Sequence, residues 1–125
     1  MNGDMKTKVL IVDDSLFVVK QLSQIISSCE DFEVVGTAED GLQGIEKFQE
    51  LKPDLVTMDI TMPKMDGITA LEKILAIDPS ARVVMVSALG KEELIKKSLL
   101  AGAKNYIVKP LDRKKTIDRL TSAAK

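Results

Sequence analysis

The 125-residue chain has no histidine, no tryptophan, one cysteine and only 3% aromatic residues. Without histidine there is no Ser-His or Cys-His nucleophilic pair, no imidazole metal ligand and no histidine to carry a phosphoryl group. Chemistry must therefore fall to carboxylates, lysine, hydroxyls or backbone groups. The lone Cys29 has no partner for an intramolecular disulfide, which fits a reducing compartment. No apolar run approaches the ~18 residues of a membrane span, and residues 1–6 contain no stretch suited to a signal peptide. We expect a cytoplasmic protein that makes no use of a membrane. Neither sign of charge dominates: 18 basic residues stand against 19 acidic ones, for a net charge of −1. That near-balance argues against a direct nucleic-acid partner.

What remains is an ordinary globular composition, 45% hydrophobic and 30% charged. The length suits one domain, which buries about two-thirds of the surface its unfolded chain exposes. Five short apolar runs recur: Val9 to Val12, Glu33 to Thr37 around Val34-Val35, Leu55 to Met58, Val83 to Val86, and Tyr106 to Val108. They are rich in β-branched residues and apolar on both faces, the pattern of strands in a parallel sheet covered on both sides. The second run is the weakest and is expected at an edge. Between them lie segments with helical spacing. Their stripes are Val18, Leu22, Ile25, Ile26 and Cys29; Leu42, Ile45, Phe48 and Leu51; Ile68, Leu71, Ile74 and Leu75; Leu94, Ile95, Leu99 and Leu100; and Ile117 with Leu120. The third helix is expected to stop near Asp78-Pro79 and the fourth at Gly102, with Asp112 capping the last. Phe17, Phe48 and the leucines read as core. The order is βα five times over, which predicts an α/β fold: a doubly wound, five-stranded parallel sheet with right-handed crossovers. Strands should start near residues 8, 33, 54, 82 and 104. Residues 1–6 read as a loose tail ahead of a domain spanning 7–124.

In open sheets of this kind, ligands bind beyond the carboxyl ends of the strands. The residue after each run therefore carries the most information. Asp13 and Asp14 follow the first run, Asp59 the third, Ser87 the fourth, and Lys109 with Pro110 the fifth. Each has an ordinary structural reading. Asp13, Asp14 and Ser15 would serve as a helix cap, Asp59 as a turn opener, Ser87 as a cap, Lys109 as a solvated lysine and Tyr106 as a half-buried strand aromatic. The combination is harder to explain that way. If the first and third strands are neighbours, three carboxylates crowd together and raise one another's pKa unless neutralised. The Lys109 ammonium and a divalent cation are the two candidates, and hard oxygen donors suit Mg²⁺.

Four strings carry a resemblance. They are Val9 to Ser15 (VLIVDDS), Asp59 to Gly67 (DITMPKMDG), Val86-Ser87-Ala88, and Ala101-Gly102-Ala103 through Val108-Lys109-Pro110. In this order and at these separations, they resemble the receiver domain of two-component response regulators. Leu51 to Gly67 is most similar to the single-domain chemotaxis (CheY-like) type. The resemblance implies a flavodoxin-like strand order 2-1-3-4-5 and a cis Lys109-Pro110 bond. It implies that Asp59 accepts a phosphoryl group from a histidine kinase. It further implies Mg²⁺ held by Asp13, Asp14, Asp59 and the Thr61 carbonyl, with Lys109 on the phosphoryl oxygens. Ser87 would bond the new phosphoryl group, and Tyr106 would turn inward in response. The output face would be the fourth helix, fifth strand and fifth helix, with Lys91, Glu92, Ile95, Leu99, Tyr106, Lys114 and Lys115 contributing. A flagellar motor switch component is the implied target.

Departures from the family pattern are mild. Ser87 stands where threonine is commoner, and Leu111 where phenylalanine is frequent. Thr61 and Leu89 occupy positions that in the family tune self-dephosphorylation. Lys104-Asn105 replace acidic residues that DNA-binding relatives use to dimerise, so a monomer is expected. Such a chain is a phosphoacceptor switch that catalyses its own phosphorylation and dephosphorylation, not an enzyme acting on a separate substrate. The alternatives are a receiver cut from a methylesterase or a DNA-binding regulator, a small Mg²⁺-dependent aspartyl phosphatase, and a flavodoxin-like cofactor binder. A phosphatase of the haloacid-dehalogenase type needs a second aspartate where Thr61 stands. A cofactor binder needs a glycine-rich phosphate loop where Asp13-Asp14 would repel phosphate.

Overall fold

A computed structural model describes residues 5–125. Its elements alternate: β1 (Thr7–Val12), α1 (Leu16–Ser27), β2 (Phe32–Ala38), α2 (Gly41–Leu51), β3 (Leu55–Met58), α3 (Gly67–Ile77), β4 (Val83–Ser87), α4 (Glu92–Leu100), β5 (Asn105–Val108) and α5 (Arg113–Ala124). The five strands form one parallel sheet in the order β2-β1-β3-β4-β5. Expected and observed strand starts agree within a residue, and β2 lies at an edge. Of the expected tail, residues 1–4 lie outside the described residues; Met5 and Lys6 are exposed and belong to no element. Among the described residues, no helix is long and apolar enough to cross a membrane.

The continuous apolar runs are explained by two cores. Side chains alternate across a strand, so one run feeds both faces. Val9, Ile11, Leu55, Val84, Val86 and Ile107 pack with Val18, Leu22 and Ile26 of α1 and Leu120 of α5. Leu10, Val12, Val56, Met58, Val83 and Met85 pack with Phe48 of α2 and Ile68, Leu71 and Ile74 of α3. Side chains supply most of the caps: Ser15 on α1, Asp40 on α2, Asp66 on α3 and Asp112 on α5, whereas α4 starts at Lys91 with no side-chain cap.

Three expectations about burial fail. Phe17 is 74% exposed, outside the core, because it sits in the first turn of α1 away from the Val18–Leu22–Ile26 face. Leu42 is exposed because steps of three residues drift around a 3.6-residue helix. The fully buried residues of α2 are Gly41, Gly44 and Phe48, with Ile45 and Leu51 packed beside them, and a Cβ at Gly44 would press on Val12 at 3.1 Å. On α4, Ser98 is the buried residue and Leu99 and Leu100 face outward. The two leucines lie one and two helical positions, 100° and 200°, past the serine.

Candidate functional site

Three backbone hydrogen bonds carry the sheet ladder just past the strand ends. Asp13 N–H donates to the Ala38 carbonyl at 3.0 Å, Asp59 N–H to Val12 at 2.9 Å and Lys109 N–H to Ser87 at 2.8 Å. Each strand-end residue is thus fixed by the neighbouring strand. The rim lies where β1 is flanked by β2 and β3, the point at which strand order reverses.

The predicted carboxylates meet there. One oxygen each from Asp13, Asp14 and Asp59 lie within 4.8 Å of one another. Asp13 and Asp59 are buried and Asp14 is exposed. Lys109 Nζ sits 3.1 Å from Asp13 Oδ2 and 3.7 Å from Asp59 Oδ2. Burial raises the Asp59 carboxyl from its ordinary 3.8 to about 6, and the Asp13 charge adds to the rise. The Lys109 ammonium and the Ile60 N–H, 2.8 Å from Asp59 Oδ1, pull it back, while Asp14 adds a smaller push. An ammonium ion is therefore not enough to restore Asp59 to an ordinary acidity. The shortfall in positive charge, together with three carboxylate oxygens, suits a small divalent cation.

The ordinary structural readings hold in part. Ser15 caps α1 through Val18 N–H at 3.3 Å, and Asp13 Oδ1 accepts from Ser15 N–H at 2.9 Å. Asp14 takes no part in that cap. Thr61 is exposed, two residues past Asp59 in the loop from 60 to 66. Sequence reasoning gave Gly67 no role, yet it closes this loop. Its N–H donates to the Ile60 carbonyl at 2.7 Å, and a Cβ there would lie 1.9 Å from the Asp59 carbonyl oxygen. The Asp66-Gly67 pair was the available signal, since a cap residue followed by glycine marks a tight helix entry.

Ser87 and Tyr106 lie on the far side of the rim, and both are buried. Ser87 Oγ accepts from Leu89 N–H at 3.1 Å, and Tyr106 Oη donates to the Leu89 carbonyl at 2.5 Å. Both groups thus hold one residue of the β4–α4 loop. Burial pushes the tyrosine hydroxyl pKa up. The half-buried reading of Tyr106 does not survive: the residue is 3% exposed and its side chain is already inside. Leu89 enters as the residue that joins Ser87 to Tyr106. The Lys109-Pro110 peptide is cis.

The response regulator receiver domain profile matches residues 9–121. The chain is 66% identical over 120 residues to the chemotaxis protein CheY of Treponema pallidum, covering 94% of this chain and 83% of that one. It is 48% identical over 118 residues to CheY of Listeria monocytogenes, covering 94% and 98%. Among solved structures, the CheX-CheY-BeF3-Mg²⁺ complex of Borrelia burgdorferi superposes with a TM-score of 0.92 at 53% identity, covering 98% of this chain and 93% of that one. With the strand order, the rim and these matches in agreement, the chain belongs to the response regulator receiver family and is of the CheY type.

Proposed function

We propose that this receiver is a chemotaxis switch whose phosphoryl acceptor is Asp59. The observation that carries the reading is the convergence of Asp13, Asp14, Asp59 and Lys109 from three separate strand ends. An Asp59 carboxylate oxygen attacks the phosphorus of a phosphohistidine on a partner kinase, and the P–N bond breaks with its electron pair leaving on the imidazole. Such transfer depends on positioning and on positive charge around the equatorial oxygens. Lys109 supplies a fixed ammonium, already held between two carboxylates. Asp13, Asp14, Asp59 and the Thr61 carbonyl are the groups that would hold Mg²⁺, which would add the remaining positive charge. Attack by water on the aspartyl phosphate then breaks the P–O bond, releases phosphate and restores the carboxylate.

The new phosphoryl group brings negative charge and hydrogen-bond acceptors to one point. Ser87 answers it with its hydroxyl. The O–H donates while Oγ still accepts from Leu89 N–H, so a movement of Oγ toward the phosphoryl group carries with it the loop that Tyr106 also holds. The signal emerges on α4, β5 and α5. The Borrelia neighbour was captured with CheX, which supports a protein partner of chemotaxis for this chain as well. A histidine kinase upstream and a motor switch component downstream complete the reading, all in the cytoplasm, with the receiver a monomer in its 7–124 domain. A receiver cut from a methylesterase or DNA-binding regulator is not favoured, because the CheY matches run over most of both chains. With Mg²⁺ and acetyl phosphate, one phosphoryl group should appear on the protein and none on Asp59→Asn. Undiminished incorporation in that variant would overturn the assignment.

A further inference from the structure

The loop from 60 to 66 leaves the phosphoacceptor strand, carries Thr61 and returns at Gly67. Its inner end is held by the Gly67 bond to Ile60 and by the close approach of Gly67 to the Asp59 carbonyl. Its outer end is held by a different element. Met65 N–H donates to the Pro63 carbonyl at 2.7 Å, and Lys64 between them has φ of 68°. A three-residue turn with its central residue at positive φ is rare and strained, and such strain persists only where the surroundings enforce it. The first enforcing contact is at Gly41, where a Cβ would lie 2.8 Å from the Met65 carbonyl oxygen. The second is ionic. Lys64 Nζ lies 3.8 Å from Asp40 Oδ2, whose side chain is only 4% exposed.

Asp40 has two distinct tasks. Its Oδ1 accepts from Gln43 N–H at 2.9 Å and caps α2, while Oδ2 faces Lys64. A buried carboxylate without a counter-charge is unfavourable, and the Lys64 ammonium, on a side chain 64% exposed, supplies that counter-charge from the solvent side. Asp40 is also two residues past Ala38, whose carbonyl anchors Asp13. The ion pair therefore joins the segment that anchors one metal-site carboxylate to the loop that follows another.

We propose that Asp40 and Lys64 are positioning residues for phosphoryl transfer. Their ion pair fastens the loop from 60 to 66 to the start of α2 and so holds the backbone at Thr61 beside the three carboxylates. This rests on the reading of Asp59 as acceptor. Neither residue touches the reacting atoms.

The test uses Lys64→Asn, Asp40→Asn and Lys64→Arg. Asparagine tolerates positive φ at 64 and caps a helix as well as aspartate at 40, so each change removes the ion pair and keeps the local backbone. In metal-free protein, amide exchange at Gly67 should accelerate several-fold in both asparagine variants, because the loop opens more often. Their Mg²⁺ affinity should fall roughly threefold to tenfold, up to the lower end of what outer-shell changes cost a metal site. The rate of phosphorylation by acetyl phosphate should fall with it. Lys64→Arg should restore all three. A lowered unfolding midpoint with unchanged Gly67 exchange and Mg²⁺ affinity makes the pair a mere stabilising contact and overturns the proposal. If wild-type protein takes no phosphoryl group on Asp59, the underlying reading fails and this one fails with it.

Discussion

Asp59 is buried next to another carboxylate, and both facts penalise its charged form. The folded protein therefore binds a proton there more tightly than the unfolded chain does. Without metal, stability should fall as pH rises from about 4 to about 6, because the unfolded chain ionises first. Asp59→Asn removes the charge at nearly constant shape. It should stabilise the metal-free protein at neutral pH by about 2 kcal/mol, allowing for partial solvent screening. The gain should be full above pH 6 and vanish below about 4. Urea unfolding of both proteins across this range checks it, and a gain independent of pH would contradict the account. Lys109 has the converse role, since its ammonium is the fixed positive charge between Asp13 and Asp59. Lys109→Ala should still bind Mg²⁺ but lose roughly 10²-fold in phosphorylation rate, the usual cost of one electrostatic donor. It should also uncouple phosphorylation from partner binding. Rapid-mixing kinetics with acetyl phosphate and a binding titration on the phosphorylated fraction would measure the two losses. Both residues were legible in the sequence, because a polar residue directly after an apolar run falls on the strand-end rim. Gly67 was missed although Asp66-Gly67 marked a tight helix entry, whereas Asp40 and Lys64 were not legible: their pairing comes from a contact between loops that sequence spacing does not encode.

At the scale of elements, α4 is the least anchored helix. It has nine residues, no side-chain cap and one buried residue, Ser98, whose hydroxyl has no hydrogen-bond partner among the described residues. What restrains its leading loop is Leu89, held by Ser87 and Tyr106. Tyr106→Phe deletes one buried hydrogen bond and should cost about 1 kcal/mol. Phosphorylation should proceed normally while α4 amides exchange faster and partner binding weakens. Unchanged exchange in α4 would separate Tyr106 from the switch. The entry to α3 is the opposite case, built with no slack. Gly67→Ala places a methyl group 1.9 Å from the Asp59 carbonyl oxygen. Backbone must move, so we expect a loss of about 3 kcal/mol with impaired Mg²⁺ binding, read by thermal unfolding and a metal titration. Periodicity located all five helices and most of their inward stripes, Ile45, Phe48 and Leu51 on α2 and Leu94 and Ile95 on α4, but misplaced Leu42, Leu99 and Leu100. Gly44 is small because Val12 leaves a side chain little room there, and Ser98 takes the most buried position on α4 while Leu99 and Leu100 face outward.

At the scale of the molecule, the near-zero net charge conceals a separation. Residues 1–80 hold 15 of the 19 acidic residues and 7 of the 18 basic ones; residues 81–125 hold the remaining 4 and 11. Because the sheet order is β2-β1-β3-β4-β5, the late elements gather at one edge, so this asymmetry along the chain becomes a polarity across the fold. An acidic partner docking on α4, β5 and α5 would meet the basic end. Its association rate should drop about tenfold from low to physiological salt, with dissociation little altered. Stopped-flow binding at several salt concentrations tests this, and a salt-independent association rate would refute it.

Local order in the chain was enough to determine the alternation of strands and helices, the apolar runs that demand a sheet covered on both sides, and the reactive residue types at the strand ends. These are short-range properties, written in neighbouring residues. Only the tertiary structure decided that Tyr106 lies inside, that Phe17 lies outside, that Lys109 stands between Asp13 and Asp59, and that Asp40 reaches Lys64. Those outcomes depend on volumes and distances between segments remote in sequence, which become defined only when the helices have packed on the sheet.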